Sequence, residues 1–316
     1  MAKLTPLEDK LVVLIGGDGF VGTHLAQELL GRSVRLRVAG RTPEKAMKLR
    51  PLADLGQMQF ARCNVKDERS MQAVLRGADA VVYLVGTFGA DAQTLQADGA
   101  GRAAEIAREQ GAEAFVYLSA IGADAGDGEG TYAATKADGE RQVREAFPQA
   151  TIMRPSIVFG EDDSFINMFA NLIGTFPVLP VFGPDAKIQP VWVDDVAEAI
   201  AHALADPAQH GGRTYELAGP EIIRMDELHR RIARGQERKR TFLPMPDSVS
   251  AFFASLPGTP MNPEQWRLLR RGSVASGTLP GLAELGVTPR PLSLFLDKWM
   301  VRFRKHGRFT QSNRAA

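Results

Sequence analysis

Cysteine is all but absent: Cys63 is the only one in 316 residues. A lone thiol excludes an intrachain disulfide and any cysteine-based metal cluster, and makes a reducing, cytosol-facing compartment the expectation. Histidine is sparse too. His24, His202, His210, His229 and His306 are scattered, with no HExxH or paired spacing, so no metal is expected. The acidic groups Asp194-Asp195 and Glu161-Asp162-Asp163 read as helix caps rather than ligands. No apolar run reaches about 18 residues, so no spanning helix is expected. The opening residues, MAKLTPLEDKLVVLIGG, lack a signal-peptide pattern, because their short apolar run opens a strand.

What is present is ordinary in bulk and uneven in detail. Apolar residues make up 44% and charged residues 24%, which excludes disorder as the main state and allows a sizeable core in one large domain or two. The net charge of +1 conceals a split. Residues 1–222 hold 21 Lys and Arg against 30 Asp and Glu, and residues 223–316 hold 17 against 7. Such asymmetry points to a partner surface on the basic part, or to two lobes that face each other.

Six short strands alternate with helices. The strands are LVVLIG (11–16), SVRLRVAG (33–40), MQFAR (58–62), AVVYLVG (80–86), AFVYLSA (114–120) and ATIMRP (150–155). Between them, FVGTHLAQELLG carries helical apolar spacing, and Thr42-Pro43 reads as a cap and first turn of a helix to about Leu55. SMQAVLRG, roughly 93–110 and TYAATKADGERQVREAF complete the set. Asp195-Val196-Ala197-Glu198 resembles a capping box opening a helix to about Ala205, and RTYELAG (213–219) is one more strand. This order predicts an α/β fold: a doubly wound parallel Rossmann sheet with a smaller, mostly helical C-terminal lobe. The expected division is 1–222 and 223–316, with part of 156–190 joining the second lobe.

At the end of the first strand, Gly16-Gly17-Asp18-Gly19-Phe20-Val21-Gly22 fits both G-x-G-x-x-G and G-x-x-G-x-x-G. Gly16, Gly19, Phe20, Val21 and Gly22 are therefore candidate dinucleotide contacts, with the pyrophosphate at the helix N-terminus. NAD sites usually carry an acid at the end of the second strand. Here that end reads Val38-Ala39-Gly40-Arg41-Thr42, so Arg41 is placed for a 2′-phosphate, with Arg37 and Lys45 adding positive potential. NADP(H) is expected over NAD(H).

Tyr132 and Lys136 stand four apart on one helix face, where a cation can lower a phenol's pKa for proton transfer. Ser119, 13 residues before Tyr132, ends the fifth strand at the carboxyl edge of the sheet. With Arg154-Pro155 and Val191-Trp192-Val193-Asp194-Asp195-Val196-Ala197, these residues resemble the extended and atypical short-chain dehydrogenase/reductase superfamily over roughly 10–220. That resemblance implies that Tyr132 and Lys136 move the proton as a hydride passes to or from nicotinamide. It also implies that Ser119 orients the substrate oxygen, and that Lys136 holds the nicotinamide ribose. It puts Asn64, with its neighbour Val65, near the adenine, although Asn stands where the superfamily often has Asp. It gives Gly86 and Pro155 places along the cofactor.

A closer resemblance rests on Leu49-Arg50-Pro51-Leu52-Ala53-Asp54-Leu55-Gly56-Gln57, Phe159-Gly160-Glu161-Asp162, Phe165-Ile166-Asn167, Gln189-Pro190-Val191 and Leu279-Pro280-Gly281-Leu282. These are similar to the nucleotide-binding alpha-subcomplex accessory subunit family of respiratory complex I, which extends into bacteria as free-standing homologues. It implies tightly held NADPH without turnover, attachment to complex I or another membrane-associated complex, and a cytoplasmic chain held peripherally on the inner membrane. The lack of a transit peptide suits a bacterial protein. The rival readings are a free-standing NADP-dependent reductase, dehydrogenase or epimerase on a quinone-like, sugar or lipid substrate, and a redox sensor. Retained Tyr132 and Lys136 argue against the sensor.

In the basic end, PLSLFLDKWMVRFRK (291–305) places Leu292, Phe295, Leu296, Trp299, Met300 and Phe303 on one stripe. Such a helix within 290–316 can lie on an anionic membrane surface, dock on a partner, or pack its stripe on its own lobe. RRIARGQERKR (230–240) is a second basic cluster. No recognition motif accompanies the charge, so nucleic acid is not expected.

Overall fold

A computed structural model describes residues 7–123, 131–256, 261–305 and Gly307. The acidic stretch 124–130 of the loop that precedes Tyr132 and the tail 308–316 lie outside the described residues. The chain divides into two compact units, each assembled from three segments. Unit 1 is Met1–Pro155, Val193–Leu217 and Ser276–Thr288, and unit 2 is Ser156–Trp192, Ala218–Ala275 and Pro289–Ala316. The sequence pattern places one boundary at 222/223, whereas the chain passes between units five times. Periodicity reports local elements and carries no record of these returns.

Unit 1 is the sheet with its helices. In chain order its elements are β1 (Leu11–Ile15), α1 (Phe20–Leu30), β2 (Arg35–Gly40), β3 (Met58–Arg62), α2 (Glu68–Leu75), β4 (Ala80–Tyr83), α3 (Gly99–Glu109), β5 (Ala114–Leu118), α4 (Tyr132–Ala146), β6 (Thr151–Pro155), α5 (Val193–Ala205) and β7 (Thr214–Leu217). All seven strands are parallel, in the order β7-β6-β5-β4-β1-β2-β3. Every residue of β1 and of β4 is buried, as expected for central parallel strands covered on both faces. The order reverses between β1 and β4. Open α/β sheets bind ligands at this switch point, beyond the carboxyl ends of the strands.

Three elements differ from the sequence reading. The turn after Thr42 is a 3-10 helix, Pro43–Leu52, which runs through Pro51 and ends short of Leu55 with the Ala53 N–H on the Arg50 carbonyl. The helix read over 93–110 is two pieces, a π-helical segment Gln93–Asp98 followed by α3. α5 starts at Val193, so Asp195 is inside its first turn and not at its cap. Asp163, by contrast, caps as expected, accepting from the N–H groups of Gly160, Ile166 and Asn167.

Unit 2 is mainly helical: Phe165–Thr175, Met225–Gly235, Asp247–Ser255, Pro263–Arg271 and Ser293–Met300. Three short ladders join it, pairing 158–159 with 191–192, 187–188 with 223–224, and 178–181 with 241–244. Its core gathers Phe159, Ile166, Trp192, Leu228, Ile232 and Met300. The C-terminal stripe belongs to this core. Leu292, Leu296, Trp299 and Met300 are all buried, and Phe295 stacks on Trp192 at 3.7 Å between ring centroids. Along 292–303 the stripe is therefore packed into the core of unit 2 and is not an apolar face left open.

Candidate functional site

The glycine turn is shaped by close packing. Gly16 has φ +81°, and a side chain there would crowd Val85 just past β4. A Cβ on Gly22 would lie 2.5 Å from the Gly17 Cα, and one on Gly17 2.7 Å from Leu14 Cβ. Glycine at these two positions lets α1 lie directly on the turn. α1 opens at Gly19 with no side-chain cap and no acid in its first turn, so the N–H groups of Phe20, Val21 and Gly22 have no competing carboxylate. Uncapped first-turn donors and the positive end of the helix suit a pyrophosphate. His24, one turn on, is fixed to Asp194 of α5 at 2.6 Å.

Arg41, at the end of β2, is exposed, and among the described residues its guanidinium makes no hydrogen bond or ion pair. It is near enough to Asp91 to help hold that carboxyl below its ordinary value, after the direct bond from Lys66. Lys45 is exposed on the 3-10 helix. Arg37 does not contribute as expected. It points back along β2 and donates to the carbonyls of Val74 and Arg76 at the end of α2. A residue the sequence reading passed over is Asp18: its Oδ1 lies 2.5 Å from where a Cβ on Gly40 would stand, so its carboxylate rests on the end of β2. After β3, the Asn64 side-chain oxygen accepts from the Lys66 N–H, and the Val65 carbonyl accepts from Arg102. Cys63 is buried, which pushes its thiol up to about 11 and leaves it unreactive.

On the other side of the switch point, the structure gathers Gly86, Tyr132 and Lys136. The Lys136 ammonium donates to the Leu118 carbonyl at 2.7 Å and lies 5.0 Å from the Tyr117 ring centre and 5.9 Å from that of Tyr132. A Cβ on Gly86 would stand 3.5 Å from it. Burial lowers the Lys136 pKa to about 7, and the charge of Glu140 opposes that shift. Phe88 stacks on Tyr132 with centroids 4.5 Å apart. Gln96, fully buried on the π-helical segment, bonds Thr135 and receives the Thr87 N–H, tying that segment to α4. π-helical turns recur at functional sites.

Ser119 is bonded to Glu140, one helical turn beyond Lys136. Its hydroxyl donates to Glu140 Oε1 at 2.5 Å, and Arg154 grips the same carboxylate through Nε and Nη2 at 2.8 Å each. All three are buried. A serine has one proton to donate, and this one goes to a carboxylate, which cannot return it. Pro155 is buried at the end of β6, its carbonyl accepting from Ile121. Glu140 stands in α4 four residues after Lys136, so its spacing was visible in the sequence, but nothing there marks it as the partner of residues 21 before and 14 after it.

This fold, with a glycine turn and a Tyr–Lys pair flanking the switch point of a parallel sheet, defines a nucleotide-binding protein of the extended short-chain dehydrogenase/reductase kind. The chain belongs to the NAD dependent epimerase/dehydratase family, whose model matches residues 12–218. It is similar to the mitochondrial NADH dehydrogenase [ubiquinone] 1 alpha subcomplex subunit 9 of Mus musculus, 30% identical over 90% of this chain and 78% of that one. It is also similar to the ceramide reductase of Caulobacter vibrioides, 31% identical over 62% of each chain. Among solved structures, a dTDP-glucose 4,6-dehydratase from Streptomyces venezuelae with NAD bound has a TM-score of 0.73 at 18% identity, covering 94% of this chain and 98% of its own. That last likeness speaks for the fold alone.

Proposed function

We propose that the chain holds NADP(H) as a fixed part of its structure and serves as an accessory or assembly-type subunit of respiratory complex I or a related membrane-associated complex, peripheral on its cytoplasmic face. The observation that carries this reading is the commitment of Ser119 to the buried Glu140–Arg154 pair. A carbonyl substrate awaiting hydride needs a donor at that place, and the hydroxyl's proton is engaged elsewhere. The stacking of Phe88 on Tyr132 points the same way, by covering one face of the phenol. Similarity to the mouse subunit over most of both chains supports a partner of this kind.

In this assignment Gly16, Gly19, Phe20, Val21 and Gly22 hold the pyrophosphate, and Arg41 the 2′-phosphate. Asn64 and Val65 flank the adenine, while Gly86, Lys136 and Pro155 lie along the nicotinamide half. The dinucleotide, when bound, brings hydride chemistry, and its binding stabilises the fold by mass action. Two observations favour second readings. Lys136, with a pKa of about 7 beside Tyr132, is poised for proton transfer, which supports a free-standing reductase or epimerase. Asp18 on the end of β2 offers a carboxylate to a ribose 2′-hydroxyl, which favours NAD(H).

Denaturing the purified chain and identifying the released nucleotide by mass spectrometry tests the assignment. NADP(H) near one per chain is expected. NAD(H) alone shifts the role from Arg41 to Asp18, and an empty chain that turns over added NADPH overturns the structural role.

A further inference from the structure

Unit 2 carries a cavity of about 530 Å³, wide open to solvent, lined by Arg230, Ala233, Arg234, Arg238, Lys239, Arg240 and Phe242. Five of its seven lining residues are cations, and most of that charge is not neutralised. Among the described residues, Arg230 alone of the five has a carboxylate partner, Asp226 at 3.2 Å. Arg238 donates to the Phe303 carbonyl, and Arg240 donates to the Ile173 and Gly174 carbonyls. Those bonds fix the two guanidinium groups in place and leave their charge intact. Among the described residues, Arg234 and Lys239 make no side-chain hydrogen bond or ion pair. Arg238 Nε is buried without an acceptor, which is a rare condition in folded proteins. The nearby acids are engaged elsewhere, Glu227 with Arg231 and Glu237 with Arg304.

Positioned, un-neutralised guanidinium groups converging on a concave surface are what a phosphate requires, since the planar fork matches its oxygens in pairs. We propose that this cavity binds a phosphate-bearing ligand, separate from the dinucleotide. The volume exceeds that of a bare phosphate and leaves space for a larger headgroup beside the Phe242 ring. The strand that leaves the cavity pairs with 178–181, and both carry exposed apolar side chains, Leu243 at 46% and Val178 at 48%. Two sources share this chemistry, an anionic phospholipid headgroup and a soluble phosphate, and the exposed apolar pair is the feature that would meet acyl chains.

The test uses the full chain with its dinucleotide, together with Arg234→Ala, Lys239→Ala and the double variant. None of these removes a contact within the fold, so unchanged unfolding midpoints and nucleotide content are the control. Two probes are applied at low salt: mixed phosphatidylglycerol–phosphatidylcholine vesicles against pure phosphatidylcholine in a flotation assay, and inorganic phosphate by calorimetry. Binding to the mixed vesicles alone, weakened about five-fold for each cation removed and more for both, assigns a lipid headgroup. Phosphate binding without flotation, weakened by the same variants, assigns a soluble ligand in the same cavity. The proposal is overturned if the native chain binds neither probe, or if the double variant binds as well as the native chain does.

Discussion

At Lys136, burial works against charge. The folded pKa of about 7 lies below the 10.5 of the free side chain, so the unfolded chain binds the extra proton over that whole interval. Stability therefore rises with pH between about 7 and 10.5, and the penalty for carrying the charge inside is fully present below about 7. Lys136→Met is expected to raise the melting temperature of the nucleotide-free chain below neutral pH and to flatten this slope, read by calorimetry across the pH range. A slope unchanged by the substitution would contradict the buried placement. At Ser119 the contact is a hydrogen bond to a charged group, so Ser119→Ala should cost about 1.5–3 kcal/mol in stability while nucleotide content stays the same. Glu140→Ala strands the buried Arg154 and should cost more, about 3–5 kcal/mol, by denaturant unfolding. Arg41→Ala should weaken NADPH much more than NADH in a binding titration, and Asp18→Asn should do the reverse if that carboxylate meets a ribose hydroxyl.

Elements explain which parts of this molecule were legible in the sequence. β1 and β4 were plain because central parallel strands are unbroken apolar runs. The glycine turn was plain because its spacing reflects backbone crowding: the 2.5 Å approach between a Gly22 Cβ and Gly17 leaves no alternative residue. Gly22→Ala should accordingly push α1 off the turn, at about 1–3 kcal/mol, and reduce nucleotide content, seen in melting curves and in the released nucleotide. Partners distant along the chain were not legible. Ser119 was placed correctly at the edge of the sheet, yet its role depends on which way the hydroxyl turns, and that is decided by Glu140 and Arg154. Gln96 was hidden because a π-helical turn has no periodic signature, and Arg37 misled because its alkyl chain carries the charge back under α2. The C-terminal helix illustrates the same limit from the other side. Its apolar stripe was evident, but only the placement of Trp192 and Phe159 shows what it packs on. Trp299→Ala should destabilise the chain by about 3–5 kcal/mol, measured without any membrane present.

For the whole molecule, the uneven charge acquires a location. Most of the acidic part builds the sheet of unit 1, and much of the basic excess collects on 230–240 around one cavity of unit 2. Among the described residues no helix is long and apolar enough to cross a membrane. The role proposed above is that of a nucleotide-holding subunit rather than a turning-over enzyme. The most direct test is purification from gently solubilised membranes of the native host, with the chain and its bound nucleotide followed on a native gel. Co-migration with complex I, with NADP(H) bound and not consumed, is the predicted result. A pool that runs free of the complex and oxidises NADPH with a metabolite or quinone, and loses that activity in Tyr132→Phe, would contradict it.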